Sequence, residues 1–411
     1  MAKIATPKIS TDKEKINELL TRSVDTIYPN REALRALLLS GKQITVYVGI
    51  DPTADYVHLG HSTNYLLLER LHQLGHRIIV LVGDFTAMIG DPSDKTTTRG
   101  ALTRKEVLKN LATFKAQIGK ILDFKDKKNP IEFKFNSKWL SKLSFEKLAE
   151  LASNFTVQQM LERDMFEKRI RENRPLYVHE FLYPLLQGYD SVAMKVDLEI
   201  GGTDQTFNML AGRTLVRRYL DREKFVLTTT LLVNPTTGEK MMSKSLGTGI
   251  GLNESADSMF GKTMALPDPG IIQTFIDCTR LPLGEIKKKE QRLARGENPK
   301  NLKLELAHEI VTMYHGAKSA AAAQANWENV FSDKKIPDAM PSARAKIGTK
   351  LIDVLVTQHI AESKTQARRL FEDGAIKDLE RDQRITDPST EITGGMTLKI
   401  GKKIFLKIVA L

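Results

Sequence analysis

The chain has 411 residues, 41 % hydrophobic and 27 % charged, with a formal net charge of +12, which fits a folded protein of roughly two to four domains and excludes a disordered or fibrous one. Its single cysteine, Cys278, rules out an intrachain disulfide and a cysteine-cluster metal site, and no apolar run reaches the roughly 18 residues of a membrane span. The positive excess points to a polyanionic partner or to a well-solvated cationic surface.

Residues 1–43 read as a helical lead-in, with Leu34, Leu37 and Leu38 at helical spacing and Gly41 as a stop. The opening stretch mixes Asp12, Glu14 and Glu18 with lysines and lacks an apolar signal core, so a cytoplasmic place is expected. Ile44 to Ile50 predicts a buried strand, the turn Asp51-Pro52-Thr53 ends it, and a helix runs from about Gly60 to Leu74. Ile78 to Val82 predicts a second strand, closed by Gly83-Asp84. Strand, helix, strand at this length is a βαβ unit and hence a parallel sheet. Ligands in such sheets bind beyond the carboxyl ends of the strands, where Asp51 and Asp84 fall.

Residues 103–195, rich in helix formers and alternating charges, predict a helical insertion within a domain spanning 44–250. Lys195 to Ile200 predicts a further strand, followed by Gly201-Gly202-Thr203-Asp204-Gln205 and a helix over Phe207 to Leu220. Residues 251–345 predict an α-helical domain. Within it, Arg280 to Lys303 carries eight Lys/Arg against three Glu. Pro337 and Pro341 mark a linker. Residues 350–411 predict two short helices and then strands, an α+β module.

Two segments carry chemistry. His58-Leu59-Gly60-His61 opens the first long helix, where free N–H groups and the helix dipole favour an anion. Metal binding and plain capping are the alternatives, and the further ligands of a closed metal site are missing. Lys240-Met241-Met242-Ser243-Lys244-Ser245 sets two lysines on a glycine-bearing loop, either a triphosphate clamp or a solvated basic loop. Gly261-Lys262-Thr263 fails as a P-loop, because Ala256 stands where its first glycine is required.

His-Leu-Gly-His resembles the HIGH signature, and Ser-Lys-Ser the KMSKS signature, of class I aminoacyl-tRNA synthetases. Tyr47 to Asp55, Tyr183 to Asp190 and Gly201 to Gln205 narrow the resemblance to the bacterial-type tyrosyl-tRNA synthetases, across essentially the whole chain. The resemblance implies a Rossmann-like catalytic domain over 44–250, an anticodon-binding α-helical domain over 251–345, and an S-four-like RNA-binding domain over 350–411. It implies that tyrosine is activated with ATP and transferred to tRNA(Tyr), with Mg²⁺ carried mainly on the ATP phosphates and no protein-bound metal cage. A homodimer joined through the insertion is also implied.

Position by position, the resemblance assigns Tyr47 and Asp190 to the substrate phenol. It places Tyr183, Gln187 and Asp91 around its ammonium, and Gln205 near its carboxylate. Thr53, His58 and His61 match ATP phosphate contacts. Gly49, Asp51, Gly60, Gly202 and Asp204 match the nucleoside surroundings. Lys95 and Arg99 match a pyrophosphate-gripping loop, and Lys240 and Lys244 the signature lysines. The family spaces those lysines three apart; here they are four apart. Either Met241 is a one-residue insertion or it replaces the first lysine. In the last module Lys364, Arg368 and Arg369 are expected to form one basic helix face, with Ala367 and Leu370 packed inside. Tryptophanyl-tRNA synthetase, which does not call for a phenol-binding Tyr/Asp pair, and a non-catalytic RNA binder on the same scaffold are the rivals.

Overall fold

The structure is a computed structural model that describes residues 7–92, 102–162, 164–234, 236–242, 249–332, 340–358, 360–361, 363–381, 383–401 and 404–410. The chain divides into two compact units, Met1–Ala321 and Ala322–Leu411.

The first unit is built on a six-stranded sheet of β1 (Val24–Tyr28), β2 (Thr45–Ile50), β3 (Arg77–Val82), β4 (Glu132–Phe135), β5 (Leu198–Gly202) and β6 (Phe225–Thr229). The strand order is β1-β6-β5-β2-β3-β4. β2 through β6 pair in parallel, and β1 closes the β6 edge in the antiparallel sense. Parallel strands are covered on both faces and read as continuous apolar runs. β3 is of this kind, with Ile78 to Val82 all buried behind the exposed Arg77. From β2 the chain winds outward through β3 and β4, then returns to the other side of β2 for β5 and β6. The topological switch point therefore lies between β2 and β5.

Several elements depart from the sequence expectation. The lead-in holds two helices, Lys13–Leu19 and Arg31–Leu39, and also the edge strand β1. The insertion is not wholly helical, since it adds β4 in parallel to β3. Lys195 is a left-handed helix cap with φ of 54°, so β5 starts only at Leu198. β6, buried throughout, was not expected from the sequence.

The helices expected at about 60–74 and 207–220 lie close to where the sequence put them. Leu59–Gln73 is followed by Leu74 as cap and by Gly75 at φ +94°, the backbone state that favours glycine after a helix. Val178–Met194 and Thr206–Leu220 flank β5 in sequence and pack on each other. Ala256–Met264, Ile271–Cys278, Leu283–Ala294 and Pro299–His315 follow as helices of the same unit.

The second unit carries a five-stranded sheet of β7 (Ser342–Ala345), β8 (Ile376–Asp378), β9 (Gln383–Ile385), β10 (Met396–Ile400) and β11 (Ile404–Ala410), in the order β7-β11-β10-β8-β9. Helices Leu351–Thr357 and Lys364–Glu372 pack on it through Leu351, Leu355, Ala367 and Phe371. β7 precedes residue 350, so this sheet begins earlier than the sequence pattern alone marked. No helix among the described residues is long and apolar enough to cross a membrane.

Candidate active site at the sheet switch point

The two signature segments meet. Backbone bonds from Leu59 N to Ile250 O at 2.8 Å and from Leu252 N to Val57 O at 2.7 Å join the histidine segment to the far end of the lysine loop. His58 and Gly251 form an antiparallel bridge. At the near end of the loop, a side chain added to Gly60 would stand 3.2 Å from Met242 Cβ. His58 caps the Leu59–Gln73 helix in extended backbone, and its ring stacks on His61 with centroids 3.7 Å apart. His61 Nδ1 accepts from the His58 N–H at 3.3 Å, so a neutral His61 ring carries its proton on Nε2, as a donor.

Lys240 lies in a bridge with Val233 and sets Nζ 3.5 Å from Asp204 Oδ2. Its neighbour Met241 is buried, with Sδ 2.5 Å from where a Gly270 side chain would begin. The lysine thus faces the strand ends while the methionine serves the core. Lys95, Arg99 and Lys244 lie outside the described residues.

Spacing on one helix assembles the next group. Tyr183, Gln187 and Asp190 fall four and three residues apart, on one face of Val178–Met194. The Tyr183 hydroxyl donates to Asp51 Oδ2 at 3.0 Å, and the Thr86 hydroxyl donates to Asp51 Oδ1 at 2.7 Å. Gly83 makes this possible, because a side chain there would lie 1.8 Å from Asp51 Oδ1. Asp190 is buried and accepts from Trp139 Nε1 at 2.7 Å and Asn136 Nδ2 at 3.2 Å. Burial pushes its carboxyl well above the usual range, against the pull of those two donors. Asp190 sits in the fourth turn of its helix, inside the caps Tyr177 and Lys195, so it is not a helix cap.

Tyr47 is fully buried in β2, with its hydroxyl 2.9 Å from Ser191 Oγ. Burial, then Glu199 and Asp190, raise its ionisation, so the phenol stays neutral. Gln205 Nε2 donates to Asp91 Oδ2 at 2.7 Å, and Asn208 Nδ2 donates to Gln205 Oε1 at 3.0 Å. Gly49 is the one exposed position of β2, with open space where its side chain would be. Thr53 N donates to Asp51 O at 2.8 Å, closing the turn after β2. Gly202 ends β5 beside Asp204, the middle residue of the short turn Thr203–Gln205.

Residues 39–332 match the family described as tRNA synthetases class I (W and Y). A tyrosine–tRNA ligase of Moorella thermoacetica is 43 % identical over 397 residues, covering 95 % of this chain and 94 % of its own. One from Haemophilus ducreyi is 41 % identical over 390 residues, covering 95 % and 96 %. The chain belongs to the tyrosine–tRNA ligases. The fold agrees with a truncated mitochondrial tyrosyl-tRNA synthetase of Aspergillus nidulans, at TM-score 0.65 and 21 % identity, covering 78 % of this chain and 94 % of that one. It agrees likewise with the tyrosyl-tRNA synthetase of Archaeoglobus fulgidus, solved with L-tyrosine, at TM-score 0.58 and 20 % identity, covering 76 % and 100 %.

In this member of the tyrosine–tRNA ligases, sequence reasoning missed Thr86, Asn136, Trp139, Ser191, Glu199 and Lys224, all joined by hydrogen bonds to assigned residues or to each other. Glu199 carried a readable signal, an acid inside a buried apolar strand, which demands a partner. Asn136 and Trp139 carried none. Among the described residues no group of three or more His, Cys, Asp or Glu is placed to hold a metal ion. In the second unit, Ala367 and Phe371 are fully buried, Leu370 is half-buried, and Lys364, Arg368 and Arg369 are exposed. Lys364 pairs with Asp353 at 2.7 Å.

Proposed function

We propose that the switch-point site activates tyrosine with ATP, releasing pyrophosphate, and passes the tyrosyl group to the 3′ end of tRNA(Tyr). The carboxylate oxygen of tyrosine attacks the α-phosphorus, one P–O bond forms, and the bond to pyrophosphate breaks. The nucleophile is already ionised, so the site needs positioning and cations rather than a general base. Tyr47 and Asp190 hold the phenol; Tyr183, Gln187 and Asp91 hold the ammonium; Gln205 lies near the carboxylate. His58, His61 and Thr53 meet the phosphates, with Gly49, Asp51, Gly60, Gly202 and Asp204 around the nucleoside. Lys240 and Lys244, with Lys95 and Arg99, follow charge onto the departing pyrophosphate. Mg²⁺ arrives with ATP, on its phosphates.

The observation that carries this reading is the buried Asp190, held by two N–H donors on the same helix face as Tyr183 and Gln187. A tyrosine- and ATP-dependent pyrophosphate exchange assay tests it, and no exchange means the chain is a non-catalytic RNA binder. Lys364, Arg368 and Arg369 serve tRNA, and the cytoplasm, where ATP and tRNA are abundant, is the proposed location.

We propose a homodimer formed through the insertion. Its support is a set of exposed apolar side chains in that region, Phe145 at 87 %, Val157 at 68 % and Val178 at 80 %, with Ile170 and Tyr177 about half exposed. Monomers rarely leave such side chains uncovered in number. Sedimentation should show a dimer for the parent and a monomer for Phe145→Glu/Val178→Glu.

A further inference from the structure

Behind the assigned tyrosine contacts lies a charged pair that no step of the reaction uses. Lys224, fully buried just before β6, forms an ion pair with Glu199, buried in β5. Lys224 also donates to Met209 O at 3.0 Å. The neighbouring helix makes room for it: a side chain at Gly212 would lie 2.5 Å from Lys224 Nζ and 2.9 Å from Ser191 Oγ. Two desolvated charges are costly and are often replaceable by apolar residues without loss of stability. Their contacts here lead in one direction. Glu199 Oε1 accepts from Gln187 Nε2 at 3.0 Å, and Glu199 Oε2 accepts from Ser191 Oγ at 3.4 Å. Ser191 Oγ in turn meets the Tyr47 hydroxyl at 2.9 Å, and Lys224 Nζ lies 6.0 Å from the Tyr47 ring centroid.

We propose that the Lys224–Glu199 pair is the positioning device of the tyrosine site, fixing which end of the Gln187 amide faces the substrate ammonium. The inference rests on the assignment of Gln187 to that ammonium. An amide has a donor end and an acceptor end of nearly equal shape, and only its partners decide the orientation. An ionised carboxylate only accepts. It draws the Gln187 NH₂ toward itself and leaves the carbonyl oxygen as the end that receives an ammonium. The same carboxylate takes the Ser191 proton, so Ser191 Oγ accepts from Tyr47 and the polarity of that hydroxyl chain is set as well. Lys224 sets a cation against that carboxylate in the dry interior. A neutral Gln at 199 both donates and accepts, and the Gln187 amide is then free to reverse.

The decisive variant is Glu199→Gln/Lys224→Met, which removes both charges together and so leaves neither buried alone. Lys224→Met by itself strands a carboxylate and is secondary, since it can fail to fold. The readouts are the tyrosine and ATP KM values in pyrophosphate exchange, and the inhibition constant of 3-(4-hydroxyphenyl)propionate, which has the phenol and carboxylate but no ammonium. The double variant should raise the tyrosine KM about tenfold and leave the ATP KM and the inhibition constant of the analogue within about twofold. Equal weakening of tyrosine and analogue would assign the pair to structure alone and overturn the proposal, as would an unchanged tyrosine KM. Gln187→Ala separates the underlying reading. If it too weakens tyrosine selectively, the ammonium assignment stands whatever the pair does. If it leaves tyrosine unaffected, the assignment and the proposal fall together.

Discussion

At Asp190 a buried carboxyl meets two N–H groups among the described residues, and its ionised form is disfavoured by burial. In the proposed complex the substrate phenol is a further polar partner of this carboxyl. Asp190→Ala takes the carboxyl away from the phenol and strands the Trp139 and Asn136 donors. We expect tyrosine kcat/KM to fall by roughly 10²-fold, the advantage of tyrosine over phenylalanine to shrink, and the ATP KM to hold. Wild-type tyrosine kinetics would end the assignment of Asp190. His76, fully buried between the Leu59–Gln73 helix and β3, makes a different prediction. Burial lowers its ionisation from 6.5 to about 4. The folded state thus binds fewer protons than the unfolded chain between those values. The stability contribution is complete above pH 6.5 and is lost as pH falls toward 4, by roughly 3 kcal/mol in all. Urea unfolding of wild type should show that decline, and His76→Phe should flatten it.

The segment from Leu232 to Met242 bears on the question that the lysine spacing left open. Lys240 reaches Asp204 while Met241 is packed beneath Gly270, which favours an inserted methionine over a replaced lysine. Lys240→Ala should slow adenylate formation, by up to about 10²-fold, with little change in tyrosine affinity. Met241→Lys should not supply a better clamp; it puts a charge into a buried position and should lower the midpoint of unfolding. A Met241→Lys variant that folds normally and reacts faster would favour replacement instead.

Much at this scale was readable. The apolar runs of β2 and β3 and the periodicity of Leu59–Gln73 are strong because each is long and has a single period. β4 and β1 were not readable: Glu-Phe-Lys-Phe and Val-Asp-Thr-Ile-Tyr are short, and their strand character comes from the neighbour they pair with. The site residues could be assigned from the sequence because the motifs that carry the resemblance are local. Trp139 and Asn136 could not be, because they reach Asp190 from about 50 positions away, and no local pattern encodes that.

On the scale of the whole chain, the proposed division of work follows the division of the chain into two units. A chain ending at Ser332 retains every residue assigned to adenylate chemistry and loses β7 together with the basic helix Lys364–Glu372. It should form tyrosyl-adenylate at the parent rate and charge tRNA roughly 10²-fold less efficiently at physiological salt. Equal charging would remove the RNA-binding role, and loss of adenylate would give the second unit a structural one. Arg368→Glu/Arg369→Glu in the full chain should weaken charging in the same direction and reduce its salt dependence.

The order β7-β11-β10-β8-β9 has a consequence for how the protein is born. β11 is the latest of these strands to be synthesised, yet it stands between β7 and β10 and is, among the described residues, the strand that β7 pairs with. A ribosome that has made residues 342–400 has produced a first strand with nothing to lie against. The first unit's sheet, by contrast, is fully synthesised once Thr229 has emerged. Domains generally fold as units, the earlier ones during synthesis, so the catalytic unit can mature on the ribosome while the second waits for residues 404–410. A stop codon at Ile404 would then spare the adenylate chemistry and leave a ragged, protease-sensitive tail. Limited proteolysis of that shortened product should trim it back to a stable fragment ending between Ala321 and Ser342.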